Sequence, residues 1–311
     1  MPSVLITGAS GFIGSHLCDA FLERGWTVYG LVRPSSDLRF LTAPAIRRIC
    51  GDLTDIPPEA LPEALDVIVH AAALVSDNAG GEQCRRHIYE VTVRLLELAR
   101  RRYPRLRRFV YVSSALTLGY GADDISERAP GKPAAYVPYN VMKKRAEAHV
   151  LQTFRATAYP VAVLRPGDVY GPRDRTSSER MLQAAEKGVP LIVGRGDKKF
   201  ALCYPANLCR AVLAAVDKPQ AVGRAYTVAN RVAPTWGEFF RALQAGVGAR
   251  QRLYVPVSLA LAVALFFELL KRVFPAFLPP INYYRIRRIT SQTTYDVSET
   301  LAELGYESDE D

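Results

Sequence analysis

Tyr139 and Lys143 stand four residues apart in VPYNVMKKRAEAHV (137–150), a spacing that puts a phenol and an ammonium on one face of a helix start. A phenol titrates near about 10, too high for ready proton exchange at neutral pH, but an adjacent ammonium stabilises the phenolate and lowers that value. Tyr139 is then an acid or base, and Lys143 the group that tunes it. Y-x-x-x-K also arises by chance in helices, so its place in the fold has to support the chemistry. The apolar run RFVYVSS (108–114) ends in two hydroxyls, Ser113 and Ser114, at what would be the carboxyl edge of a sheet.

The elements that position these groups begin at the amino terminus. In MPSVLITGASGFIGSHL, Val4, Leu5 and Ile6 form a β-rich burst, glycines follow at 8, 11 and 14, and Phe12 to Leu22 reads as helix. Such a turn lets backbone approach a ligand closely, and the first N–H groups of the helix have no partners of their own. Gly8, Ser10, Gly11, Phe12, Ile13 and Gly14 are therefore a candidate cradle for the phosphates of a dinucleotide. Apolar runs at 27–33, 46–52, 67–73, 108–114 and 161–167 alternate with helical stretches at 12–24, 84–102, 139–156 and 178–187. The alternation predicts an α/β fold, a doubly wound parallel (Rossmann) sheet with its ligand at the carboxyl ends of the strands. Residues 1–170 are assigned to this domain. Residues 171–311 read mainly as a smaller, interleaved substrate lobe, with some segments returning to the first domain.

Arg33 follows the second strand, 19 residues after Gly14. An acidic residue there would grip the ribose hydroxyls of NAD, whereas arginine suits the 2′-phosphate of NADP. Arg33 with Ser36 points to NADP(H), with NAD(H) as the alternative. Asp52, in CGDLTD, is expected to accept a hydrogen bond from the adenine amino group, to cap the following segment, or to do both, with Leu53 beside it.

The formal charge of +9 is concentrated in ARRRYPRLRRF (99–109) and YYRIRRIT (283–290). The first reads as the cationic end of a helix, and no nucleic-acid module accompanies either cluster. Five scattered cysteines without metal-ligand spacing read as reduced, mostly buried thiols, and no metal site is expected. No secretory leader precedes the first strand, which leads to the expectation of a cytoplasmic protein.

TGASGFIG, GDLTD, HAAALV, FVYVSSA, YNVMK and LRPGDVYGPRD together resemble the extended short-chain dehydrogenases/reductases, and the resemblance spans essentially the whole chain. It implies that Ser114, directly before Ala115, is the catalytic hydroxyl, that Tyr139 exchanges the proton, and that Lys143 holds the nicotinamide ribose. It further implies that Ala71, Ala72 and Ala73 flank the adenosine and pyrophosphate, that Pro166 and Val169 line the nicotinamide end, and that the protein is a homodimer.

Residues 253–281 bear on substrate. Leu253 to Phe267 carries no charge, yet is shorter than the ~20 residues that span a bilayer. A segment apolar on every face needs cover from protein, lipid or a greasy substrate, and its basic end suits an anionic membrane surface. The segment also resembles the 3β-hydroxysteroid dehydrogenase branch. The combined expectation is an NADP(H)-dependent oxidoreductase acting on a secondary alcohol or ketone of a lipophilic substrate. The alternatives are a sugar-nucleotide epimerase, dehydratase or reductase using the same triad, and an NADP(H)-sensing protein without turnover.

Overall fold

The computed structural model describes residues 1–311 except 77, 188, 190, 191, 249–253, 275, 276, 278, 280, 307 and 309–311. Of the 253–281 segment, Leu253, Pro275, Ala276, Leu278 and Pro280 thus lie outside the described residues.

Seven strands form one sheet: β1 (Ser3–Thr7), β2 (Thr27–Val32), β3 (Arg47–Cys50), β4 (Val67–His70), β5 (Arg108–Val112), β6 (Val161–Pro166) and β7 (Ala225–Val228). Their order is β7-β6-β5-β4-β1-β2-β3, and every pairing is parallel. The central strands are apolar on both faces, as a sheet covered on both sides requires; Val4, Leu5, Ile6, Val67, Ile68 and Val69 are fully buried. On one face lie α1 (Phe12–Glu23) and α5 (Pro205–Asp217), which bury Leu17, Phe21, Leu208 and Val212. On the other lie α2 (Val91–Arg102) and α3 (Pro138–Thr157), which bury Leu95, Leu96, Ala146 and Val150.

The strand order reverses at β1, which has β2 on one side and β4 on the other. Chain leaving these carboxyl ends opens a crevice there. Gly8 turns at its edge with φ +69°, and a Cβ on it would come within 2.9 Å of Ala72 Cα. Only glycine fits so tight an approach without strain.

The observed elements refine the expected ones. The fourth strand stops at His70, so Ala71 to Ala73 belong to the loop after it. The helix expected over 84–102 is interrupted: a π-helical stretch at Arg85–Glu90 precedes α2, and its wider turn shifts the side-chain period that a continuous helix would keep. β7, with no counterpart in the sequence reading, pairs Ala225 with Val163 and extends the sheet.

Beyond the sheet, α4 (Ser178–Glu186) and α6 (Trp236–Gly246) pack around Phe200, Trp236, Phe239 and Phe240. Thr235 and Glu238 form a reciprocal capping box that starts α6. α7 (Val257–Val273) and α8 (Tyr283–Ile289) pack on each other, and α9 (Ser298–Leu304) returns to the main core through Leu304. Among the described residues no helix is long and apolar enough to cross a membrane.

Candidate active site

Because all seven strands run the same way, the residues that follow them share one edge. Gly8 follows β1, Arg33 β2, Asp52 β3, Ala71 β4, and Ser113 and Ser114 β5; Pro166 ends β6. The helix start bearing Tyr139 and Lys143 meets this edge beside β5. Pro138 opens α3, where its missing N–H is no loss, and the half-buried Tyr139 sits in the first turn.

Lys143 is 2% exposed. Its Nζ donates to Val112 O at 2.7 Å and lies 4.9 Å from the centre of the Tyr111 ring. Burial brings its pKa down to about 7, against the opposing pull of Glu147. One ammonium proton is used by Val112, leaving donors for a ligand.

The two serines differ in their bonds. Ser113 Oγ donates to Glu147 Oε2 at 2.9 Å. Ser114 caps the short turn Ala115–Thr117, where its Oγ accepts from Leu116 N at 3.3 Å. That leaves the Ser114 hydroxyl proton without an acceptor among the described residues, so Ser114 is the hydroxyl with a bond to offer.

Beneath the serines lies a buried charged network. Glu147 accepts from Arg165 Nε at 3.1 Å and Nη2 at 2.7 Å, from Ser113, and from Thr117 Oγ1 at 3.1 Å. Burial pushes its carboxyl up, but the Arg165 bonds and charge prevail and hold it below the usual range. Arg165 Nη1 also donates to Glu127 O at 2.8 Å. The sequence signal was an arginine inside the apolar strand VAVLRPG, for which burial requires a partner.

A second buried chain links three elements at the crevice. Thr92 Oγ1 donates to Ile88 O at 2.6 Å, so it accepts from His70 Nε2 at 3.0 Å, and His70 Nδ1 accepts from Thr7 Oγ1 at 2.8 Å. Thr7 Oγ1 in turn accepts from Ala72 N at 3.3 Å. Burial, then the charge on Lys143, lowers the His70 pKa to about 3, which keeps the ring neutral. These roles are not written in any local stretch of sequence, since the histidine's partners lie 63 and 22 positions away.

At the other end of the edge, α1 begins at Gly11 with no side-chain cap and no acidic residue in its first turn. Ser10, Gly11 and Phe12 face a cleft of about 520 Å³ shared with Phe40, Arg173 and Arg175. Ile13 packs against the core and Gly14 is buried against the Gly8 carbonyl. Arg33 is exposed, and its N–H donates to Ser36 Oγ at 3.0 Å. Asp52 takes the turn role: its Oδ1 accepts from Thr54 N at 2.8 Å and Oγ1 at 2.7 Å, bonds that lower its pKa with some help from Arg33. Leu53 packs against the core cluster beneath the sheet. Val169 lies in a two-residue strand, Asp168–Val169, beside Leu202–Cys203. The uncapped helix start, the glycine closeness to Ala72 and the spare Lys143 donors fit a dinucleotide.

A doubly wound sheet with an open helix terminus at its switch point and a tyrosine–lysine pair at its edge defines a dinucleotide-binding enzyme fold. The chain belongs to the NAD dependent epimerase/dehydratase family, whose model matches residues 4–229, and is an enzyme of the extended short-chain dehydrogenase/reductase superfamily. It is 30% identical to sterol demethylase protein B of Methylococcus capsulatus, covering 97% of this chain and 93% of that protein. It is 27% identical to 4-hydroxy-2-methyl-3-oxo-4-farnesyl-3,4-dihydroquinoline-1-oxide ketoreductase of Stigmatella aurantiaca, covering 97% and 90%. Its fold matches UDP-glucuronic acid 4-epimerase from Bacillus cereus in complex with NAD, with a TM-score of 0.78 at 22% identity, covering 98% and 91%.

Proposed function

We propose that the protein is an NADP(H)-dependent oxidoreductase acting on a secondary alcohol or ketone of a lipophilic molecule. The observation that carries the reading is the convergence of Ser114, Tyr139 and a buried, tethered Lys143 at one sheet edge. When bound, the nicotinamide supplies or takes up the hydride. In reduction, Ser114 Oγ donates to the substrate oxygen and Tyr139 delivers the proton. Lys143, fixed by Val112, stabilises the phenolate left behind and offers its remaining N–H groups to the ribose hydroxyls. Arg33 at the end of β2 favours the 2′-phosphorylated cofactor.

Support for a lipophilic substrate comes from the surroundings of Tyr139 and from the relatives. The adjacent Asn140 Nδ2 donates to Tyr284 Oη at 3.2 Å, and Tyr284 packs edge-on against Tyr120 and Tyr136. Such an aromatic wall suits an apolar ring or chain. The names of the two curated relatives refer to a sterol and to a farnesylated ketone.

The testing experiment is a spectroscopic panel: NADPH and NADH, each with steroid ketones, β-keto lipids and nucleotide sugars. Net oxidation of NADPH by a lipophilic ketone is the expected result. Conversion of a nucleotide sugar with no net change in the nicotinamide signal would replace this reading with epimerisation or dehydration.

A further inference from the structure

Helix α7 is amphipathic the wrong way round for a protein surface. Two of its three charged residues are held inward: Glu268 Oε1 accepts from Tyr283 N at 2.9 Å, and Lys271 Nζ donates to Asn78 O at 3.1 Å. Its outward stripe is apolar, with Leu259, Phe266, Leu269 and Val273 each more than half exposed. These recur at helical spacing, so they form one continuous face rather than scattered contacts.

We infer that this face docks on an anionic lipid surface. The charge around it selects the occupant. α7 and α8 carry a single carboxylate, Glu268, which is turned inward, whereas Arg272 beside the stripe and Arg287 on α8 are exposed. A second copy related by a two-fold axis through this stripe would bring the same cations together with no carboxylate from either helix to meet them. Anionic headgroups meet them directly while the apolar stripe enters the acyl boundary. At 17 residues the helix is too short to span a bilayer, so it lies along the surface.

The placement has a consequence for the active site. α7 is tied through Lys271 to the loop after β4, and α8 through Tyr284 to Asn140 beside Tyr139. Docking would hold the aromatic wall next to the bilayer, where an apolar substrate is concentrated. The docking itself does not depend on the redox reading.

The test is co-sedimentation of the full chain with vesicles of phosphatidylcholine alone or with added phosphatidylglycerol. The wild type is expected to bind the anionic vesicles, and to require about tenfold more lipid when the vesicles are neutral. Phe266→Ser with Leu269→Ser is expected to lose at least as much, with an unchanged near-ultraviolet circular dichroism spectrum. Arg272→Glu provides a second variant that leaves the apolar stripe intact and is expected to weaken only anionic binding. Absence of vesicle binding, equal binding to both compositions, or equal binding by the wild type and the variants would overturn the inference. So would a dimer in light scattering that the double substitution dissociates, since that assigns the face to a second copy.

Discussion

Lys143 Nζ and Val112 O are joined at 2.7 Å, which ties the start of α3 to β5 two residues before Ser114. The ammonium is both a tether and a buried charge, and the two roles separate with pH. Burial lowers its pKa from 10.5 to about 7. Below pH 7 the folded state bears the full desolvation penalty; between pH 7 and 10.5 the unfolded chain binds more protons, so this penalty is relieved as pH rises. Lys143→Met is expected to resist urea better than the wild type at pH 6, with that advantage shrinking by at most about 1.4 kcal/mol per pH unit toward pH 10. Its activity should fall by about 10²–10⁴-fold.

Ser113 and Ser114 are expected to fail differently. Ser113→Ala removes one donor from buried Glu147 and should destabilise the protein by about 1–3 kcal/mol in urea unfolding, with kcat little changed. Ser114→Ala should cost about 1 kcal/mol through the lost turn cap and lose about 10²-fold in kcat, as expected when a donor to the reacting oxygen is removed. Equal kinetic losses in the two variants would contradict the assignment.

Arg165→Met leaves Glu147 buried without its bidentate partner and should destabilise by about 3–5 kcal/mol. Adding Glu147→Gln should recover part of that loss. A double-mutant cycle in urea unfolding measures the coupling, and additive losses would show that the pair is not coupled.

His70 should contribute to acid sensitivity. Its pKa is depressed from 6.5 to about 3, so the unfolded chain binds more protons between these values. Stability is fully retained above pH 6.5 and falls as pH drops toward 3, with a limiting slope of about 1.4 kcal/mol per pH unit from this residue. In His70→Gln that part of the slope should disappear; urea midpoints of both proteins across this range provide the check.

The turn after β1 and the Tyr139–Lys143 pair were legible because each is local: the glycine spacing and the i, i+4 interval are written in consecutive residues. Strand ends were less so, since apolar alanines continue past His70 although the ladder stops there. The π-helical stretch before α2 has no composition that separates it from α-helix. Glu147 with Arg165, and His70 with Thr7, become partners only when α3 lies on β6 and β1 lies beside β4. The inward charges of α7 were likewise hidden: helical spacing groups Glu268, Lys271 and Arg272 on one side, whereas Glu268 and Lys271 bond to the protein and Arg272 is exposed.

Tyr139 is proposed to serve net hydride transfer to a substrate carbonyl. The most direct test uses NADPH deuterated at the transferred position and a lipophilic ketone, with the alcohol product analysed by mass spectrometry for the wild type and Tyr139→Phe. One deuterium is expected on the carbinol carbon in the wild type, and a rate at least about 10²-fold lower in the variant, with NADPH binding retained. Transfer at an undiminished rate in Tyr139→Phe would contradict that role.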